Sequence, residues 1–288
     1  MINWNMISKI MGALLFFEAA LMSLSLGISV YSGEGDTPAF VTSVGLILLA
    51  AIVFRYFGLK AGNRLSRKDA YMVVTLSWVV FSLFGSLPFM LSGYVNNFTD
   101  AFFENMSGFT TTGATVIDDV EALPHGLLFW RSFTQWIGGL GIVFFTVALL
   151  PSLDGGYVKV FSAEITGPIQ TKLHPRLSMG AKYIWMVYVC LMAACAGCYW
   201  IFGMSPWESI NYAMTSTATG GFSIYNDSME NFHSPALEYT CTTFCFLAGI
   251  NFTLLYFTVA RRRIGMLFKS DEFKFYLFMT AACTAIIM

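Results

Sequence analysis

Six apolar stretches, each about as long as a bilayer is thick, leave this chain few folds to choose from. They run over about Ile10–Val30, Phe40–Gly58, Tyr71–Gly93, Leu127–Leu150, Tyr183–Phe202 and Ala236–Ala260, and a spanning helix needs roughly 20 such residues. Across the 288 residues 56% are hydrophobic and 11% charged, against roughly a quarter charged in a soluble domain. A bilayer core admits only helices and closed barrels, and apolar stretches of this length predict helices. The start, MINWNMISKI, lacks a small-residue cleavage site and reads as the lead into a first span, not as a signal peptide.

Two regions break the pattern. Asn96-Asn97-Phe98-Thr99-Asp100 supplies helix caps. The apolar residues after it, Ala101 to Phe109, make a helix of only ~15 Å, half a bilayer core. Thr110-Thr111-Thr112-Gly113-Ala114-Thr115 follows. Farther on, Ser205-Pro206-Trp207-Glu208 reads as a helix start: Ser as N-cap, Pro at the first position, Glu closing a capping box. That second short helix runs into Thr215-Ser216-Thr217-Ala218-Thr219-Gly220-Gly221-Phe222-Ser223. Hydroxyl-rich, glycine-bearing backbone at membrane depth is tolerated only where protein buries it or where it lines a wet cavity. Rows of backbone carbonyls that replace an ion's water shell are one such use.

The two regions repeat each other. A slide of 107 residues lays Thr110 on Thr217, Thr112 on Thr219 and Gly113 on Gly220. A slide of 110 lays Gly139 on Gly249 in the helices that follow. The predicted architecture is an all-α integral membrane protein built of span, pore half-helix, filter and span. Two N-terminal spans occupy 1–68. A first pore repeat occupies 69–160, with its filter at 110–115, and a second occupies 161–268, with its filter at 217–223. The start of a third occupies 269–288. The seventh apolar segment, about 14 residues before Met288, is short of a span and reads as cut off inside a helix. Gly85, Ser86 and Pro88 are expected to kink the third span. Gly138-Gly139-Leu140-Gly141 is expected to let helices approach closely within the fourth. The six cysteines lie in apolar segments. Cys195-Ala-Gly-Cys198 has redox-motif spacing but reads as packing.

Charge is one-sided. Of the 16 Lys and Arg, only Arg131 falls near the side to which the Thr-rich runs open. The rest gather at Lys9, around Arg55–Lys68, in the Pro151–Lys182 loop (Lys159, Lys172, Arg176, Lys182) and at Arg261–Lys274. The positive-inside rule then places the amino terminus in the cytoplasm and both runs toward the outside. The outer stretches hold Glu34, Asp36, Asp100, Glu104, Asp118, Asp119, Glu121, Glu208, Asp227, Glu230 and Glu238. Such a surface concentrates cations, although a merely solvated outer face would also carry acids. Arg131 is expected to form a structural ion pair with Glu104, with interfacial snorkelling as the alternative. His125, His174 and His233 are scattered, so no metal set is argued. No nucleophile–base group or phosphate loop appears, and nothing points to an enzyme or to nucleic acid. Asn97-Phe-Thr99 and Asn226-Asp-Ser228 match the weak glycosylation pattern.

The candidate ion-binding residues are Thr110, Thr111, Thr112, Gly113, Ala218, Thr219, Gly220 and Gly221. Neither run holds a carboxylate, which suits a monovalent cation rather than a chelated divalent one. Glycine allows the angles that turn carbonyls inward, and half-helices ending at the site would offer it negative dipole ends.

Ser107-Gly-Phe-Thr-Thr-Thr-Gly-Ala-Thr-Val116, Gln135-Trp-Ile-Gly-Gly-Leu-Gly-Ile142 and Thr217-Ala-Thr-Gly-Gly-Phe-Ser223 resemble the Trk/Ktr/HKT superfamily of potassium transporters, and the two leading spans resemble its TrkH branch. The resemblance implies potassium ions held by backbone oxygens of Thr111-Thr112-Gly113 and Ala218-Thr219-Gly220, with the ion at Thr111, Thr112, Ala218 and Thr219. It also implies four repeats around one pore, a homodimer in the bacterial inner membrane surrounded by lipid, and a cytoplasmic ring of TrkA-type nucleotide-binding subunits. Against that pattern the chain holds two repeats and the beginning of a third, so alone it is expected not to conduct. The alternatives are a sodium-preferring or non-selective relative and a non-conducting, truncated membrane protein.

Overall fold

The computed structural model describes residues 2–61, 66–141, 177–260 and 265–287. Among these residues every regular element is helical. The first two helices, α1 (Trp4–Ser32) and α2 (Thr37–Phe57), form an antiparallel pair. Asn3 caps α1, its Oδ1 accepting from the Met6 N–H at 3.1 Å. Gly33, at φ +67°, ends it in the left-handed conformation that glycine adopts cheaply. Apolar side chains on α2 such as Leu49, Ile52 and Tyr56 are exposed, as lipid-facing positions must be.

The third span begins as α3 (Arg67–Gly85) behind a full capping box, Ser66 with Asp69. Asp69 also accepts from the Asn3 N–H at 2.9 Å, which ties the starts of α1 and α3 together. At the expected kink the helix is interrupted at Ser86 alone, which keeps right-handed helical angles. The chain resumes as α4 (Leu87–Leu91), with Pro88 in its first turn, where a residue without an N–H cannot extend the ladder. The Gly85 carbonyl at the break accepts from Trp130 Nε1 at 2.9 Å.

Next come the first half-helix, α5 (Phe98–Phe109), and α6 (His125–Gly139). The second unit is built of α7 (Leu177–Ile201), the second half-helix α8 (Pro206–Thr217), a 3-10 turn at Ser228–Phe232, α9 (Pro235–Ala248) and α10 (Phe252–Ala260). A short α11 (Gly265–Lys269) leads into α12 (Asp271–Ile287). α6 packs against α1, α5 and α8 and so stands between the two half-helices. Four helical stretches, Trp4–Ser32, Thr37–Phe57, Lys68–Leu91 and Tyr183–Ile201, are long and apolar enough to cross a membrane.

The structure corrects two sequence expectations. The fourth segment does not run unbroken from Leu127: α6 starts at His125 and stops at Gly139, and Gly141 takes φ +84°. Gly138–Gly141 therefore ends a helix instead of smoothing its middle. The sixth segment is likewise divided at Gly249 into α9 and α10. Apolar content could not report either break, because both sides of each are apolar. Most of the Pro151–Lys182 loop, the remainder of segment four, His174 and Arg261–Arg263 lie outside the described residues.

Candidate functional site

Both half-helices end in the same unusual cap. At the end of α5 the N–H of Thr110 donates to Met106 O (2.9 Å), that of Thr111 to Gly108 O (3.0 Å) and that of Thr112 to Ser107 O (2.9 Å). At the end of α8, Ala218 donates to Met214 O (3.1 Å), Thr219 to Ser216 O (3.0 Å) and Gly220 to Thr215 O (3.0 Å). The last two bonds of each set make a Schellman motif, which places one residue in the left-handed region, usually glycine. Here that residue is Thr111 (φ +54°) and Thr219 (φ +55°). A β-branched residue is a genuine outlier there, and such strain costs on the order of 1–3 kcal/mol and clusters at functional sites. Two residues on, Gly113 (φ +78°) and Gly221 (φ +82°) repeat the inversion.

These caps correct the repeat frame. Helix starts, helix ends, hydrogen bonds and inverted residues all superpose with a shift of 108, not 107: Thr111 on Thr219, Thr112 on Gly220 and Gly113 on Gly221. Residue identity favoured Thr-Gly on Thr-Gly, whereas backbone conformation pairs the left-handed positions. The carry-over of Ala218-Thr219-Gly220 as the counterpart of Thr111-Thr112-Gly113 is thus one residue early. The eight candidate residues as a set, 110–113 and 218–221, do correspond.

The caps decide where the polar groups go. Each run turns three N–H groups back into its helix. No hydrogen bond from a described residue ends on the carbonyls of Thr110–Gly113 or Ala218–Gly221. Thr110, Thr112, Thr219 and Gly221 are exposed, and Thr111 and Gly113 half-buried, so these oxygens stand open; a row of open backbone carbonyls can supply ligands for a cation.

A stripe on α6 holds the two runs together. Arg131, Thr134, Gln135, Gly138 and Gly139 follow helical spacing on one face. A Cβ on Gly138 would strike the Phe109 carbonyl at the end of α5, and one on Gly139 would press on Ala218 at the end of α8. Gln135 Oε1 accepts from the Phe222 N–H at 3.1 Å, and its amide fills the space beside Gly220. The runs touch directly, since a Cβ on Gly113 would overlap the Gly220 carbonyl oxygen. Arg131 Nε lies 2.6 Å from Glu104 Oε1, with both side chains buried. Its Nη1 donates to Ser223 O at 2.6 Å, and the guanidinium sits 3.9 Å from the Phe222 ring centre. Glu104 in turn accepts from Thr115 Oγ1 and the Val116 N–H, both at 3.0 Å.

The outer loops are also joined. Asn226 Nδ2 donates to Asp119 at 2.9 Å, and its Oδ1 accepts from the Val120 N–H at 2.8 Å. Tyr225 donates to Glu208 at 2.6 Å. That bond, with partial burial, pushes the Tyr225 phenol up to about 12. Burial pulls Glu208 upward too, but the bonds from Tyr225 and Ser205 outweigh it and hold the carboxyl below its usual range. Of the eleven outer acids, Asp36 and Glu104 are buried. They serve protein partners, Ser29 and Arg131 respectively, and not an open vestibule. Among the described residues no His, Cys, Asp or Glu cluster could hold a metal, and the described cysteines are free thiols.

Sequence reasoning gave roles to Arg131 and Glu104, included Gln135, Phe222 and Ser223 only as members of motifs, and passed over Tyr212. One available signal was the helical spacing of Arg131, Gln135, Gly138 and Gly139. The other was the separation of the caps Asn97 and Ser205, which is the structural frame of 108.

The profile of the TrkH family, described as "Cation transport protein", matches residues 40–288. The Trk system potassium uptake protein TrkH of Vibrio parahaemolyticus is 36% identical over 282 residues, covering 96% of this chain and 58% of that protein. The TrkG protein of Escherichia coli is 37% identical over 220 residues, covering 76% of this chain and 45% of its own length. The crystal structure of the potassium transporter TrkH from Vibrio parahaemolyticus superposes with a TM-score of 0.84 at 31% identity, over 98% of this chain and 57% of that one. The chain thus spans less than two thirds of the length of these relatives. With residues 40–288 matched to the family profile and nearly the whole fold superposed on a solved relative, this chain belongs to the TrkH family of cation transport proteins.

Proposed function

We propose that the chain supplies two of the filter segments of a potassium uptake pathway, in which backbone oxygens of Thr110–Gly113 and Ala218–Gly221 replace part of the ion's water shell. The observation that carries this is the paired cap: two runs in one backbone conformation, each with its N–H groups turned away and its carbonyls unclaimed. Neutral dipoles can hold a monovalent ion without trapping it. The C-terminal ends of α5 and α8 add negative dipole ends at the same place. In the structural frame the ion faces Thr111 with Thr219 and Thr112 with Gly220, a shift from the Thr111, Thr112, Ala218 and Thr219 set. Two runs do not surround an ion, so further filter segments complete its shell.

The named relatives are potassium uptake proteins of the Trk system, and that likeness supports potassium over a sodium-preferring or non-selective pathway. The remainder of the proposal is an inner-membrane protein with a cytoplasmic amino terminus, a homodimer, and a TrkA-type regulatory ring on the basic side. The test is growth of cells lacking potassium uptake on low potassium, with the whole gene and its Gly113→Ser variant. Replacing Gly113 strains a position at φ +78° and pushes into the Gly220 carbonyl. The expected result is rescue by the native gene and a potassium-over-sodium preference lowered about tenfold in the variant, equivalent to roughly 1.4 kcal/mol. An unchanged preference would reject the filter assignment.

A further inference from the structure

The outer surface carries a cavity of about 500 Å³ that the ion pathway does not use. It lies where five parts of the chain meet: the α1–α2 turn, the chain before α5, the loop after the first run with the start of α6, the start of the second half-helix and the loop after the second run. Its walls include the rings of Tyr94, Trp207 and Tyr225, the imidazole of His125 and the carboxylates of Glu34 and Glu121. No Lys or Arg lines it. His125 Nδ1 is 2.7 Å from Glu34 Oε1, and the His125 and Trp207 rings lie 4.9 Å apart, so the walls are held in place.

The chemistry narrows the occupant. Two carboxylates without a lysine or arginine reject anions. No cluster of ligating side chains suits a chelated metal among the described residues. Aromatic faces attract cations through their ring quadrupoles, best when the cation is poorly hydrated, and a cavity of this size fits small organic ligands. We propose that this cavity binds a small alkylammonium cation, its charge directed at Glu121 and its methyl groups against Trp207 and Tyr94. Asn226 donates its N–H to Glu121 Oε1, and the other carboxylate oxygen is left for the ligand. Because the cavity is walled by residues after both filter runs, an occupied site would tie the two outer loops together.

The test is saturation-transfer NMR with tetramethylammonium chloride on the chain in detergent micelles, at constant ionic strength set with sodium chloride. Saturable binding is expected, weakened about tenfold in Trp207→Leu and less so in Trp207→Phe. Glu121→Gln keeps an oxygen for the Asn226 bond while removing the charge, so it decides the matter if Trp207→Leu fails to fold; weakening by several-fold is expected. Absence of saturable binding, equal competition by sodium, or unchanged binding in Glu121→Gln would overturn the proposal.

Discussion

The two half-helix units reach one backbone geometry with different side chains. Glu104 on α5 accepts from Thr115 Oγ1 at 3.0 Å. At the positions 108 residues later, the Tyr212 hydroxyl lies 2.6 Å from Ser223 Oγ. A carboxylate does in the first unit what a phenol does in the second. The first solution is more demanding, since a buried charge needs a partner, and Arg131 supplies it. That arginine also reaches Ser223 O, so the first unit's charge pair braces the second unit's loop. The runs differ inwardly as well. In the first, the hydroxyls of Thr110 and Thr112 meet at 2.9 Å; Ala218 and Gly220 stand in their places in the second. The shared part is the cap and its φ signs, which points to backbone geometry as the functional requirement.

The largest effect that would break this comparison is loss of Arg131. Arg131→Met leaves Glu104 buried without its charge partner and is expected to destabilise by about 3–5 kcal/mol. The double variant with Glu104→Gln should recover part of that loss in thermal unfolding of the purified protein. Gly113→Ala and Gly221→Ala separate the two runs next. Both positions have positive φ, but only a Cβ at Gly113 meets protein, the Gly220 carbonyl, while one at Gly221 meets open space. Gly113→Ala is expected to cost about 2–4 kcal/mol, from backbone strain and overlap together. Gly221→Ala should cost only the strain, about 1–2 kcal/mol; equal losses would show that the runs are not in contact. Tyr212→Phe removes a single neutral hydrogen-bonding group and should cost about 1 kcal/mol, well below Arg131→Met. Smallest are Thr111→Gly and Thr219→Gly, which relieve left-handed threonines. After the entropy of glycine is counted, each should gain about 0.5–1 kcal/mol, while ion preference in a flux assay declines. A stability gain in one run but not the other would contradict their equivalence.

The membrane class, four of the six spans and both half-helices were legible because apolar length and capping residues are local signals. Ser205-Pro206-Trp207-Glu208 states its helix start outright, and the capping box forms as read. The frame of the repeat was less legible. Thr-Gly matches drew the alignment to 107, whereas φ signs, invisible in residue letters, set it at 108. The break after Gly139 was hidden because glycine within an apolar run serves equally for close packing and for a helix end. Gln135 was hidden because its role depends on a contact with Phe222, 87 positions away. Arg131 and Glu104 stood out because a membrane protein carries few charges at such depth.

The central claim is that the unclaimed carbonyls of the two runs face a monovalent cation. Anomalous scattering from thallium-soaked crystals of the whole protein tests it most directly. Thallium peaks are expected beside the carbonyl oxygens of Thr111 and Thr112 and, at the same heights, of Thr219 and Gly220. Peaks confined to the acidic outer loops, with none along these four residues, would contradict it.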